Sequence, residues 1–228
     1  MIEVRGLRKE YKIGDETVVA LDGIDLAVQK GEICCIFGTS GSGKSTLLNM
    51  LAGMEKPTAG GVRIGGVPVS SLGEDGLAAF RQHHIGFVFQ SYNLLPALTA
   101  TENVAMPLSF RGVPEKERLA AAKDMLIKVG LGKRLDHFPS QMSGGQQQRA
   151  GIARAFITKP DVVFADEPTG NLDSKTTIEV MDMIRDFARE NNETIILVSH
   201  DPEMAAYADR IVTLVDGKII SERTGGQK

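Results

Sequence analysis

The chain has 228 residues, 42% of them hydrophobic and 24% charged, with a formal net charge of −3. That length suits one domain of above-average size with a substantial core, and the slightly acidic balance, without a long Lys/Arg run, argues against a nucleic-acid partner. No apolar run approaches the ~20 residues of a membrane span, and the start, Met1-Ile2-Glu3, lacks the basic and apolar segments of a signal peptide.

Residues 1 to about 30 alternate apolar and polar (IEV, then VVALDGIDLAV), which predicts half-buried antiparallel strands. Ile33 to Phe37 (ICCIF) reads as a short buried strand, with Cys34 and Cys35 as small core residues of a reducing compartment rather than a disulfide. A glycine-rich loop follows, and a helical pattern starts after Lys44 (STLLNMLAG). Turns around Gly60 to Gly66 set off another short strand, Val62 to Ile64. From Thr99 to about Pro160 helical patterns dominate, notably Pro114 to Val129. Ser143 with Gln146 forms a capping box at the head of QQRAGIARAFI. Two strand–helix units come next, Val162 to Ala165 with Thr176 to Glu190, and Thr194 to Val198 with Pro202 to Asp209. Ile211 to Val215, Asp216-Gly217 and Lys218 to Ile220 read as a hairpin. The last residues, Thr224 to Lys228, are expected to fray. The whole is a mixed α/β core with a helical insertion.

Three segments carry chemistry. The first, GTSGSGKS from Gly38, has the form G-x-x-x-x-G-K-[ST] between a strand and a helix, the context a phosphate-binding loop requires. Gly38, Gly41 and Gly43 let the backbone wrap closely around phosphate oxygens, and the loop N–H groups with the helix N-terminus form an anion site. Lys44 would reach the β- and γ-phosphates, and the Ser45 hydroxyl would bind Mg²⁺. The candidate nucleotide contacts are Gly38, Thr39, Ser40, Gly41, Ser42, Gly43, Lys44, Ser45 and Thr46.

The second segment is VVFADEP, Val162 to Pro168, in which a buried strand delivers Asp166 at its C-terminal end, where ligands of open α/β sheets collect. Asp166 would hold Mg²⁺ and Glu167 would take a proton from the attacking water. Pro168 disfavours helical geometry before it, so Glu167 is expected to stay extended. The third is MSGGQ, Met142 to Gln146, where Gly144 and Gly145 weaken a helix start but favour close approach of a phosphate. One anion site already serves this chain's own nucleotide, so the second is assigned to another subunit's.

These segments, in this order, resemble the nucleotide-binding subunits of ATP-binding-cassette (ABC) transporters over essentially the whole chain. The match continues with Gln90 after GFVF, the GNLD turn Gly170 to Asp173, and His200 in VSHD. SYNLLPALTATENVAMPL and ADEPTGNLDSKT are most similar to the lipoprotein-releasing and macrolide-export group. Met142 stands where Leu is usual, Ser199 where Thr is common and Gly151 where a larger apolar residue is common, and none of these removes a catalytic group.

The resemblance implies a RecA-like P-loop NTPase core with an antiparallel β subdomain and a helical subdomain inserted over about residues 91–160, all one ATPase domain. It assigns Tyr11 to the adenine, Gln90 to Mg²⁺ and the attacking water, and His200 to the γ-phosphate. Ser143, Gly144, Gly145 and Gln146 would bind the nucleotide of a second copy, and Asp173 would cross toward that copy's phosphate loop. The implied cofactors are ATP and Mg²⁺. The implied partners are a second copy and integral membrane permease subunits, with the chain peripheral on the cytoplasmic face. Ser91 to Leu108, apolar and following Gln90, is the candidate docking surface for the permease. Without the resemblance, His200 reads equally as a helix cap and Tyr11 as surface packing. A P-loop kinase or GTPase would have no use for MSGGQ, and the guanine-reading N-K-x-D is absent. An ABC-type ATPase of DNA or the ribosome usually fuses two cassettes or inserts a coiled coil. A force-transmitting cell-division ATPase of the same subgroup remains compatible with these residues.

Overall fold

The computed structural model describes residues 1–226. They form two compact units, Met1–Arg81 joined by the chain from Thr194 onward, and Gln82–Glu193.

In the first unit, β1 (Ile2–Ile13) lies between β2 (Glu16–Val28) and β4 (Ala59–Ile64), antiparallel to both. The expected alternation holds: Ile2, Val4, Leu26, Val28, Val62 and Ile64 are buried while Glu3, Asp25 and Arg63 face out. A second group of strands is built differently. β3 (Ile33–Phe37) runs parallel to β7 (Thr194–Ser199) on one side and β8 (Arg210–Val215) on the other, and β9 (Lys218–Thr224) returns antiparallel on β8. The runs ICCIF in β3 and IILV in β7 are continuously apolar because parallel strands are covered on both faces. Cys34 and Cys35 are buried free thiols, each pushed up to about 12 by burial. The β8–β9 turn has φ 46° at Asp216 and 73° at Gly217, the two positive values of the hairpin turn that D-G favours.

α1 (Lys44–Leu51) follows β3, and α2 (Glu74–His84) carries the chain toward the second unit. α2 was not foreseen. Its EDG start is acidic and contains a glycine, and only Leu77 and Phe80, three apart, form its buried stripe. The expected helix over Pro202–Asp209 is corrected to α7 (Pro202–Ala205). Beyond it the N–H groups of Tyr207 and Ala208 bond three residues back, to Met204 and Ala205. Asp209 then turns away to bond both backbone groups of Ile33, each at 2.8 Å. Fraying is likewise not met at Thr224, which pairs with Arg210, nor at Gly225, whose N–H donates to Asp209 at 2.8 Å. Gln227 and Lys228, part of the same expectation, lie outside the described residues.

The second unit pairs β5 (Ile85–Phe89) in parallel with β6 (Val162–Asp166) and adds α3 (Ala100–Phe110), α4 (Glu115–Lys128), α5 (Gly144–Phe156) and α6 (Ser174–Asn191). α5 comes so close to β5 that a Cβ at Gly86 would stand 2.4 Å from the Ala155 carbonyl oxygen. Phe87 stacks on Phe164 and Phe156 meets Phe187, tying strands and helices into one core. Fully buried Asn103 folds the connection before α3 around its amide, accepting from Leu95 N–H and donating to the carbonyls of Leu95, Leu98 and Thr99. Among the described residues no helix is long and apolar enough to cross a membrane.

Candidate functional site: the nucleotide-binding loop and the α5 terminus

The glycine-rich loop after β3, the expected phosphate loop, is closed to side chains where it is tight. A Cβ at Gly38 would lie 2.4 Å from the Leu214 carbonyl oxygen and 2.6 Å from Ser42 Oγ, so only glycine fits. Gly43 has φ 101° and occupies the N-cap of α1, where it offers no side-chain acceptor, and no acid stands in the first turn. The positive end of α1 is therefore left for an outside anion. Ser42 is buried with its hydroxyl unpartnered, while its carbonyl accepts from Gly217 N–H at 3.0 Å and so fastens the loop to the β8–β9 turn. Lys44 is buried and donates from Nζ to the Thr39 carbonyl at 2.8 Å, which holds its ammonium over the loop. Thr39, Ser40 and Ser45 are exposed and Thr46 is half-buried.

Two further expected residues belong to the same unit. Phe37 and Ser199 are register partners, so Gly38 and His200 leave the parallel strands side by side at their C-terminal ends. His200 does not cap α7. That task falls to Asp201, whose carboxylate accepts from Glu203 N–H at 2.8 Å. Tyr11 is more than loose surface packing: its hydroxyl donates to Glu55 at 2.9 Å, Lys9 Nζ sits 5.0 Å from its ring centre, and Thr46 interacts with the same hydroxyl. Burial, then Glu55, pushes the phenol upward.

The second unit gathers the rest. Phe89 is the register partner of Asp166, which puts Gln90 beside the strand end that carries Asp166 and Glu167. Glu167 is not extended, as Pro168 suggested; its φ is 42°. Proline disfavours the right-handed helical region for the residue before it, but leaves the left-handed one to be chosen by hydrogen bonding. Here the Glu167 carbonyl accepts from Gly170 N–H at 3.1 Å, turning the chain at once. The turn returns to Gln90. A Cβ at Gly170 would stand 2.6 Å from Gln90 Nε2, and Asn171 Nδ2 donates to the Gln90 carbonyl at 3.0 Å.

The capping box at α5 is formed as expected, with Ser143 Oγ accepting from Gln146 N–H at 3.3 Å and Gln146 Oε1 from Ser143 N–H at 3.0 Å. The two glycines also serve packing within the unit: a Cβ at Gly144 would lie 2.7 Å from the Tyr92 hydroxyl, and one at Gly145 2.7 Å from Thr176 Cγ2. No acid stands in this first turn either. Ser143, Gly145 and Gln146 open onto a concavity of about 600 Å³ that Lys133, Arg134 and Arg149 make basic. Asp173 is the N-cap of α6, accepting from Thr176 Oγ1 at 2.6 Å and from the N–H groups of Thr176 and Lys175, which hold its carboxyl below the usual range.

Three side chains of this network were not foreseen. Gln148, Arg154 and Asn171 hold the segments after Gln90 and Glu167. Arg154, buried in α5, donates to the carbonyls of Tyr92 and Asn93, whose φ values are 61° and 49°. Its position in the otherwise small and apolar GIARAFI was the available signal.

Residues 21–170 match the ABC transporter family. The chain belongs to that family. Its ABC relatives include the macrolide export ATP-binding/permease protein MacB of Rhodopseudomonas palustris, 48% identical over 97% of this chain and 34% of that protein. The lipoprotein-releasing system ATP-binding protein LolD of Geobacter metallireducens is 46% identical over 97% of this chain and 99% of its own. The chain thus spans about a third of the length of the macrolide-export ABC relatives and nearly all of the lipoprotein-releasing one. Among solved structures, the ATP-binding cassette MJ0796, a dimer in a post-hydrolysis state bound to ADP and Pi, superposes with a TM-score of 0.92 at 40% identity over 98% of both chains. The fold expected from the sequence, a P-loop ABC ATPase cassette, is the one present.

Proposed function

We propose that this chain is the ATP-binding and ATP-hydrolysing subunit of a membrane ABC transporter, closing its sites by pairing with a second copy of itself. The observation that carries the reading is the presence of two prepared helix N-termini, the uncapped one of α1 and the glycine-rich one of α5, each free of acids in its first turn. One cradle serves the chain's own triphosphate; the other is suited to that of the partner copy. The dimeric, ADP- and Pi-bound state of MJ0796 supports the pairing.

In this reading Tyr11 carries the adenine, and Gly38 to Thr46 wrap the phosphates. Lys44 neutralises the β- and γ-phosphates. The donor set for Mg²⁺ is all oxygen, Ser45 hydroxyl, Asp166 carboxylate and Gln90 amide, as that ion prefers; bound there, it would neutralise charge on the phosphates. Glu167 accepts the proton of the attacking water, Gln90 orients that water, and His200 contacts the γ-phosphate. Ser143, Gly144, Gly145 and Gln146 bind the second copy's nucleotide, with Asp173 near it. Residues 91–160 form the inserted helical subdomain of a single ATPase domain. Within it Leu95, 45% exposed, and half-buried Leu94 follow Gln90 and suit a docked permease element at the cytoplasmic membrane face. The names of the relatives point to export of small molecules or release of lipoproteins as the driven process.

Glu167→Gln tests the reading. It keeps shape and removes the proton acceptor, so hydrolysis should fall about 10²- to 10⁴-fold while ATP with Mg²⁺ converts the protein from monomer to dimer on a sizing column. Near wild-type turnover removes Glu167 as the base, and a persistent monomer at saturating ATP counts against the paired arrangement.

A further inference from the structure

Gln148 lies in the second turn of α5, is completely buried, and is assigned no contact with nucleotide, metal or water above. Its Nε2 donates to the Pro168 carbonyl at 2.5 Å, while its Oε1 has no hydrogen-bond partner. A buried amide with its oxygen unmet is unfavourable for stability, and an apolar residue of the same volume would fill the space as well. What an apolar residue lacks is the donor to Pro168.

That carbonyl is a particular one. It belongs to the residue directly after Glu167, whose φ of 42° lies where residues other than glycine rarely go. Proline has no N–H, so the backbone of the Glu167–Pro168 pair offers only its two carbonyls and the N–H of Glu167. One carbonyl is taken by Gly170 N–H and the other by Gln148. We propose that Gln148 is a positioning residue for Glu167: by fixing the Pro168 carbonyl it holds the left-handed turn, and with it the direction in which the Glu167 carboxylate points. The proposal rests on Glu167 being the proton acceptor.

The test compares steady-state ATP hydrolysis by the full chain and two variants across pH. Gln148→Met keeps the volume without a donor, so kcat should drop about 10- to 100-fold, the loss expected of a displaced catalytic group, with KM for ATP unchanged. Gln148→Glu restores a donor only while its carboxyl is protonated, which burial favours. Its turnover relative to the original chain should therefore approach one at low pH and fall as pH rises. The Met variant should stay low throughout. Recovery of the Glu variant on acidification also shows that it is folded. Undiminished kcat in Gln148→Met, a ratio for Gln148→Glu that does not change with pH, or a loss confined to KM would each overturn the proposal. Glu167→Gln measured alongside separates the two ideas, since near wild-type turnover there removes the base itself.

Discussion

Alanine at Gly43 should damage this protein far more than alanine at Gly41, two residues earlier in the same loop. Both glycines have positive φ, 101° and 81°. Around Gly41 a Cβ would meet nothing within 4 Å. The left-handed backbone is then its only penalty, about 1 kcal/mol, or a melting temperature lower by ~2–4 °C in a chain of this size. At Gly43 the same Cβ would stand 2.6 Å from the Ala20 carbonyl oxygen and 3.2 Å from Leu21 Cδ2. Leu21 and Leu214, which also lines this space, are fully buried and have no room to retreat. Strain and overpacking together should come to about 3 kcal/mol, lowering the melting temperature by ~6–12 °C. The displaced N–H groups at the head of α1 should also abolish binding of a fluorescent ATP analogue. Scanning fluorimetry and an equilibrium titration measure both. Equal melting of the two variants, or nucleotide binding retained by Gly43→Ala, would refute the reasoning.

Ser143→Arg fills the α5 terminus and should abolish hydrolysis while single-chain ATP binding persists. Mixed with Lys44→Ala it should regain turnover, because one composite site of the mixed dimer is whole. No rescue once mixed dimers are demonstrated would contradict the cross-subunit assignment. Glu193 is buried, and burial pushes its carboxyl up to about 8, with Lys159 opposing and Glu190 adding to the shift. Because that value exceeds the ordinary 4.5, the folded chain binds the proton more tightly, and stability should fall as pH rises between the two. Glu193→Gln, fixed in the neutral form, should gain melting temperature over the parent chain through this window and hold a constant gain above it. An offset independent of pH would refute the sign.

What the sequence by itself determined is local in origin. ICCIF before GTSGSGKS, the D-G pair between apolar strands, and Ser143 with Gln146 each specify a conformation through residues within a turn of one another, and all three formed as expected. The family could be recognised for the same reason, since its motifs are short segments with their own backbone requirements. Only the tertiary structure decided how those segments are held. Pro168 could disfavour one backbone region for Glu167, but the choice of the left-handed one depends on bonds that no propensity encodes. Gln148 reaches Pro168 across 20 positions, and Arg154 reaches Tyr92 across 62. α7 stops after one turn because Asp209 is drawn to Ile33, 176 positions away, and a side chain at Gly144 would push against the Tyr92 hydroxyl, a neighbour that no local pattern announces. Burial in a packed interior makes such distant partners obligatory, because a polar group removed from water must find its bond wherever the fold brings one within reach.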